Sequence, residues 1–466
     1  MAEEDILPLL AINIPPDDDD SSDSNSDGSH AEEMDENMAD EEDDDDDDVE
    51  GAKPSESRSF DQALPSSHSY LGTDLEEISG RTILDDDMEI ELPLVTLPGT
   101  ILVPGHIIPL YSHNQHEVAM LKGVVDSPHK TFGVVALRYE EHRHVIASIG
   151  TTAEIYSVKN EMHEGSGIST ITVLAQGRQR FELVNYRRTI TGVLLGQVKI
   201  LPETELGDML EGIRPPMHCR LCSPGNEDEE DVKVAMDKQG RILSCVRMRP
   251  KRKVNRFSCA IYTWWPPWVY KMYDAELLMK RIKMELQKWD VTLQPNKLPS
   301  DCTKLSYWVT QNLPVNDTLK LHLLSINSAV QRLRCALGIM EKCSVLCCHR
   351  CTREVTSMSS MFSMSVSGPL SAYVNPGGHV HETVTVHHVK NLSLYGRPST
   401  EHSWFPGYAW TIAQCKRCSN HMGWKFTATR KDLQPQKFWG LCRTSLAPGI
   451  SDPDENPDVA SWTPVM

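Results

Sequence analysis

Cys348-His349-Arg350-Cys351 and Cys415-Lys416-Arg417-Cys418 bracket the stretch on which the reading of this chain turns. Two Cys-x-x-Cys pairs can supply four thiolates to one tetrahedral zinc, because each short loop turns its two sulfurs toward a single point. Cys347 beside Cys348 offers a second register, and Cys348 is preferred because it keeps the two-residue spacing. With thiolates at all four positions, the ion is structural rather than hydrolytic. The 63 residues between the pairs are too many for a small finger, so they form a domain whose two ends the metal pins. Trp404, Trp410 and Trp424 lie on or near the loops that the metal fixes. Trp404 and Trp410 flank Pro406-Gly407, a turn, so their spacing is neither helical nor that of one strand face. Loop aromatics that converge in this way build a cage for a flat polar ring or a cation.

The chain has 466 residues, enough for two or three domains. Its formal charge of -20 is unevenly placed. Residues 1–50 carry 23 Asp or Glu and no Lys or Arg, and the rest has 43 acidic and 46 basic side chains. Residues 1–65 are expected to form a disordered acidic tail, because runs such as Asp43–Asp48 repel themselves and little apolar surface offsets the entropy of ordering. Ser21, Ser22, Ser24 and Ser26 among these acids suit acid-directed kinases. The chain has 13 cysteines and its N-terminus has no basic n-region, which predicts thiols in a reducing compartment rather than disulfides. The sequons at Asn316 and Asn391 are then unused. No apolar run approaches the ~20 residues of a membrane span.

Structure is expected from about Leu92. Leu92–Gly99 and Ile101–Gly105 read as short strands punctuated by Pro-Gly turns, and His116–Val124 as a helix. Thr131–Leu137, Gly150–Ile155, Ile168–Ala175 and Val193–Leu201 read as further β segments, with a turn at Gly177–Phe181. A small barrel or sandwich follows from this pattern. The acidic run Asn226–Asp231 and the basic run Arg247–Arg256 read as solvated loops, the latter with nuclear import as its sharper alternative. Cys219 and Cys222 form a third Cys-x-x-Cys pair that has no matching pair nearby. Asp274–Trp289 places Leu278, Ile282, Leu286 and Trp289 on one helical face. A second helix, with Asp317 as its N-cap, carries an apolar stripe from Leu319 to Met340. Ahead of the helices, Trp264-Trp265-Pro266-Pro267-Trp268 is either a packed corner or a docking surface, since tryptophan is favoured at interface hot spots.

Leu92-Pro93-Leu94, Pro104-Gly105, Pro109-Leu110, Gly150-Thr151-Thr152-Ala153-Glu154-Ile155 and Gly177-Arg178-Gln179-Arg180-Phe181 resemble the N-terminal substrate-recognition domain of Lon proteases. No Gly-x-x-x-x-Gly-Lys-Ser/Thr phosphate loop accompanies it, so the module is expected without that family's catalytic parts. Tyr373-Val374-Asn375-Pro376, His381-Glu382-Thr383, the run Gly396 to Trp410, and Gly423-Trp424-Lys425-Phe426 are similar to the thalidomide-binding CULT domain family. The two resemblances cover about Ser67 to Ala447. They imply a non-catalytic substrate receptor of a cullin–RING E3 ubiquitin ligase, binding glutarimide-type rings, including C-terminal cyclic imides, and presenting proteins for ubiquitination. On that likeness Trp404, Trp410 and Trp424 wall the pocket, His402 and the Trp404 backbone hold the imide, and Asn375 and Phe426 border it. Gly377 stands where the family usually has a histidine. The implied partners are protein substrates, glutarimide-type small molecules and the ligase's damage-specific DNA-binding adaptor, docked on helices within about 205–316. Direct nucleic-acid contact and membrane insertion are not expected.

The expected architecture is α+β. An acidic tail at 1–65 precedes a Lon N-terminal-like β domain with a helical bundle at 91–342. A zinc-pinned β-tent CULT domain at 343–450 and a flexible tail at 451–466 complete it. One structural zinc sits at Cys348, Cys351, Cys415 and Cys418, and the protein is cytoplasmic and nuclear. The competing reading is a methionine sulfoxide reductase-like enzyme with Cys442 as nucleophile, its thiolate favoured by Arg443.

Overall fold

The computed structural model describes residues 10–11 and 58–449, apart from 73, 79–82, 141–142, 163–168, 208–209, 211–231, 237–241, 248–255 and 291–292. Most of the acidic tail, the Cys219/Cys222 pair, Asn226–Asp231, most of the basic run Arg247–Arg256 and the C-terminal tail lie outside those residues.

The chain is α+β, as its sequence implies. In the first domain, strand Arg143–Met162 pairs with Thr131–Glu140 on one side and with Ser169–Arg188 on the other. Glu89–Pro98 and Leu194–Ile200 complete the circuit between those two neighbours, which closes a barrel, and Ile107–Ser112 adds to Ser169–Arg188. Phe181 fills the interior. A Cβ on Gly150 would collide with the Phe181 ring and the Val134 carbonyl, so glycine is required there. The expected turn at Gly177–Phe181 is therefore a continuous strand, and the expected strand at Ile101–Gly105 is a connection. Gly177 misled, because barrel strands use glycine for close approach as well as for reversal.

Helix Ala275–Trp289 begins at Asp274, whose carboxylate accepts from Leu277 N, and it buries Leu278, Ile282, Leu286 and Trp289 as its spacing predicts. The long helix expected from 317 to 340 is two helices, Asp317–Ser325 and Ala329–Met340, and Asn316 rather than Asp317 caps the first. Two buried arginines explain the break. Arg180 Nη1 donates to the carbonyls of Leu324 at 3.0 Å and Ile326 at 3.1 Å, while Arg332 donates to Leu323 O at 3.3 Å and Ile326 O at 2.7 Å. Both also meet Glu203. They satisfy the carbonyl groups freed where the first helix ends. Helix Cys302–Asn312, capped by Asp301, was not anticipated.

The C-terminal domain holds a six-stranded antiparallel sheet in the order Leu370–Val374, Val380–Val386, Lys437–Cys442, His421–Ala428, Tyr408–Cys415, Leu392–Ser399. A three-stranded sheet of Glu354–Ser357, Val345–Cys348 and Leu446–Gly449 carries one half of the cysteine site. One face of the large sheet packs with the helices in a continuous core that includes Leu286, Leu305, Leu337, Val384 and Leu441. The other face is aromatic and contains Tyr373, Trp404, Phe405, Tyr408, Phe426 and Phe438.

Buried charges join the two domains. Glu382 accepts from Lys320 Nζ at 2.5 Å and from Arg443 Nε at 2.6 Å, and Arg443 also reaches Asp317, Gly99 O and Val315 O. Burial opposes ionisation of Glu382, but the two cations hold its carboxyl below the usual range.

Residues well before Leu92 are structured. Arg58–Ser59 pairs in parallel with Leu433–Gln434, and Phe60 lies edge-on to Tyr408 at 5.5 Å. Gln62 Nε2 donates to Ser363 O at 2.7 Å. The boundary expected near residue 65, with structure from about Leu92, is corrected on these contacts. Residues 58–71 strap the aromatic face, and scattered apolar positions are too few to announce that from sequence.

Candidate functional site: a four-cysteine centre and an aromatic cage

The two cysteine loops are built alike. Cys348 N donates to Arg353 O at 2.8 Å, and Cys415 N donates to Asn420 O at 2.9 Å. One residue past the second cysteine of each pair, Thr352 and Ser419 turn left-handed, with φ of 58° and 54°. Their N–H groups return to the carbonyls of Cys348 at 2.8 Å and Cys415 at 2.9 Å. Each loop thus presents both of its sulfurs to one point. All four Sγ atoms lie within 4.8 Å of one another, with Cys348–Cys418 at 3.7 Å and Cys351–Cys415 at 3.6 Å. The edge of a tetrahedron with Zn–S bonds of ~2.3 Å is about 3.8 Å, so the donors fit zinc. Cys347 lies outside the cluster. Burial pushes the Cys348 thiol up to about 12. Burial also opposes ionisation of Cys415, but hydrogen bonds from the backbone N–H groups of Arg417 and Cys418 bring it down to about 7. A divalent cation would hold all four as thiolates.

The cage stands on the aromatic face. Trp404 is 6% exposed, stacks on Tyr373 with centroids 5.2 Å apart, and donates from Nε1 to Val374 O at 3.1 Å. Trp424 meets it nearly perpendicular, at 4.8 Å and 78°. Trp410 is half-buried, is one strand over from Trp424, and donates from Nε1 to Glu401 O at 2.8 Å, which ties the loop to the strand. Positive φ at His402 (53°) and Gly407 (91°) turns that loop over the sheet. The His402 side chain is 63% exposed, with Nε2 3.5 Å from the Glu401 carboxylate. Asn375 caps the adjoining turn, its Oδ1 accepting from His379 N at 2.8 Å.

Phe426 and His381 both lie close to these rings. Phe426 is 1% exposed and packs between Phe405 and Phe438, at 4.8 Å and 5.0 Å. It belongs to the same aromatic cluster as Trp404, Trp410 and Trp424. His381, previously only part of a motif, sits 5.3 Å from Trp424 and 5.8 Å from Trp404, and burial lowers its pKa to about 4. Alternation along Val380–Val386 was the available signal, since it puts His381 and Glu382 on opposite faces.

Cys442 does not sit in the setting that the reductase reading requires. It is buried, burial pushes its thiol up to about 12, and the Arg443 guanidinium is engaged by Glu382 and Asp317. The Asn316 and Asn391 side chains are also engaged, with Leu319 N and Glu354 O.

A Lon-type substrate-binding module carrying a zinc-binding β domain is the class that this fold and site define. Residues 91–342 match the ATP-dependent protease La (LON) substrate-binding domain, and 344–455 match the family described as Yippee zinc-binding/DNA-binding /Mis18, centromere assembly. "Protein cereblon" of Gallus gallus is 45% identical over 87% of this chain and 88% of its own length. The Xenopus tropicalis protein of that name is 44% identical over 90% and 92%, and that of Danio rerio is 45% identical over 85% and 90%. The chain belongs to the cereblon family. No described helix is long and apolar enough to cross a membrane.

Proposed function

We propose that this chain is a non-catalytic substrate receptor of a cullin–RING E3 ubiquitin ligase, which captures cyclic-imide ends or glutarimide ligands in the tryptophan cage and presents the attached protein for ubiquitination. The reading rests on the near-perpendicular Trp404–Trp424 pair, with Trp410 on the neighbouring strand. A glutarimide is flat, neutral and amphipathic. Its aliphatic carbons suit indole faces, at about 25 cal/mol per Å² of apolar area removed from water. The imide N–H and carbonyls then need an acceptor and donors, which His402 and the Trp404 backbone would supply, with Asn375 at the rim. One structural zinc at Cys348, Cys351, Cys415 and Cys418 would fix the loops behind the cage. The damage-specific DNA-binding adaptor would dock on the exposed Trp264, Trp265 and Trp268. The protein would work in cytoplasm and nucleus.

Calorimetric titration of thalidomide and its N-methyl analogue tests the pocket. Wild type should bind the parent only, and Trp410→Ala should bind neither while keeping its zinc. Equal binding of the methylated ring would refute the proposed imide recognition, because a site built to pair a polar group rejects an analogue that lacks it.

A further inference from the structure

A small polar cavity of about 20 Å³ lies between the N-terminal strap and the first strand of the large sheet. Its lining comes from four separate parts of the chain: His68 of the N-terminal strap, His106 of the barrel region, Gln311 of helix Cys302–Asn312, and Ser365 and Ser371 around the first strand of the large sheet. Gln311 is 4% exposed. Its Nε2 donates to Glu382 Oε1 at 3.3 Å, while its buried Oε1 has no hydrogen-bond partner among the described residues. A buried carbonyl oxygen left unpaired costs about 1–3 kcal/mol, so such atoms are nearly always met by a donor.

We propose that this cavity is a specific site for one structural water molecule, which donates to Gln311 Oε1 and bridges the strap, the barrel, the helices and the C-terminal sheet. Size fits a water first, because a water needs roughly 10–15 Å³ of such space and this cavity offers about 20 Å³. Charge selects it next. Both oxygens of Glu382 are taken by Lys320 and Arg443, and burial lowers the His106 pKa to about 3, with Lys320 adding to the fall and Glu382 opposing it. A cation would find no free carboxylate oxygen on Glu382, and an anion would face the Gln311 carbonyl oxygen. A neutral donor that can also accept satisfies both the amide and the neighbouring imidazole and hydroxyl groups.

A crystal structure of the full zinc-loaded chain, at a resolution that places ordered solvent, tests this. A water peak about 2.7–2.8 Å from Gln311 Oε1 is expected. No peak there, or a peak with the shorter contacts of a metal ion, overturns the proposal. Gln311→Met in the same crystal form removes the acceptor at similar volume and should abolish the peak. A peak unchanged in that variant also overturns it, because Gln311 would not be what holds the water.

Discussion

Tyr70 and Trp404 are joined through a single residue. Val374 N donates to Tyr70 Oη at 3.1 Å, and Val374 O accepts from Trp404 Nε1 at 3.1 Å. The strap thus reaches the cage wall by two hydrogen bonds, and His68 and Tyr70 pack on Tyr373 beside them. Phe60→Ala should therefore destabilise the folded chain by about 3 kcal/mol, the cost of truncating a buried phenylalanine. Tyr70→Phe should weaken thalidomide binding several-fold and cost about 1–3 kcal/mol of stability, because it leaves the buried Val374 N–H without its acceptor. Denaturant titration and calorimetry read the two effects separately. Unchanged stability in Phe60→Ala would mean that the strap does not pack on the body in solution.

The cysteine centre makes a metal prediction. Purified protein should carry one zinc per chain, and Cys415→Ser should lose it and several kcal/mol of stability, since a structural ion contributes folding energy directly. Elemental analysis beside thermal melts checks this. A zinc-free wild type with the same melting temperature would remove the ion from the account.

Buried His68 sets a pH dependence. Burial lowers its pKa from 6.5 to about 4, so the folded state disfavours the charged form. Between those values the unfolded chain binds a proton that the folded chain does not. Stability from this group is fully present above about 6.5 and is lost as pH falls toward 4. His68→Phe should flatten the acid limb by up to about 3 kcal/mol across that window relative to wild type. Parallel acid limbs for the two proteins would show that His68 is not the group responsible.

Trp264 is 99% exposed, and Trp265, Trp268, Ile261 and Tyr262 beside it are also largely in solvent. The packed-corner reading of this cluster fails for these side chains, and the docking reading gains by it. Alanine at Trp264, Trp265 and Trp268 together should leave zinc content and thalidomide affinity unchanged and abolish co-purification of the cullin. Retained co-purification would move the adaptor surface elsewhere.

What could be read from sequence follows how local each signal is. The cysteine pairs and the face of helix Ala275–Trp289 are fixed by spacing over a few residues, and both appear as read. The cage tryptophans were legible because a Pro-Gly turn separates two of them. The helix break at Ile326–Ser328 was not, because Arg180, distant in sequence, stabilises it. Phe426 belongs to a stacked core that only the sheet register creates, and His381 reaches the cage by facing opposite to Glu382. The strap escaped notice because its anchors, Phe60 and Tyr70, carry no periodicity.

The core shared by the helices and the zinc-bearing sheet bears on how the molecule comes apart. Leu278 to Met340 and Leu346 to Leu446 contribute to one uninterrupted apolar cluster, with Lys320, Glu382 and Arg443 buried beside the seam. The match boundary near residue 343 is therefore not a line of thermodynamic independence. Helices and sheet should melt as one cooperative unit, and an excised C-terminal fragment would leave half of its hydrophobic interior wet. Chelation of the metal should accordingly speed amide exchange in helix Ala329–Met340, a segment that contributes no ligand to the ion.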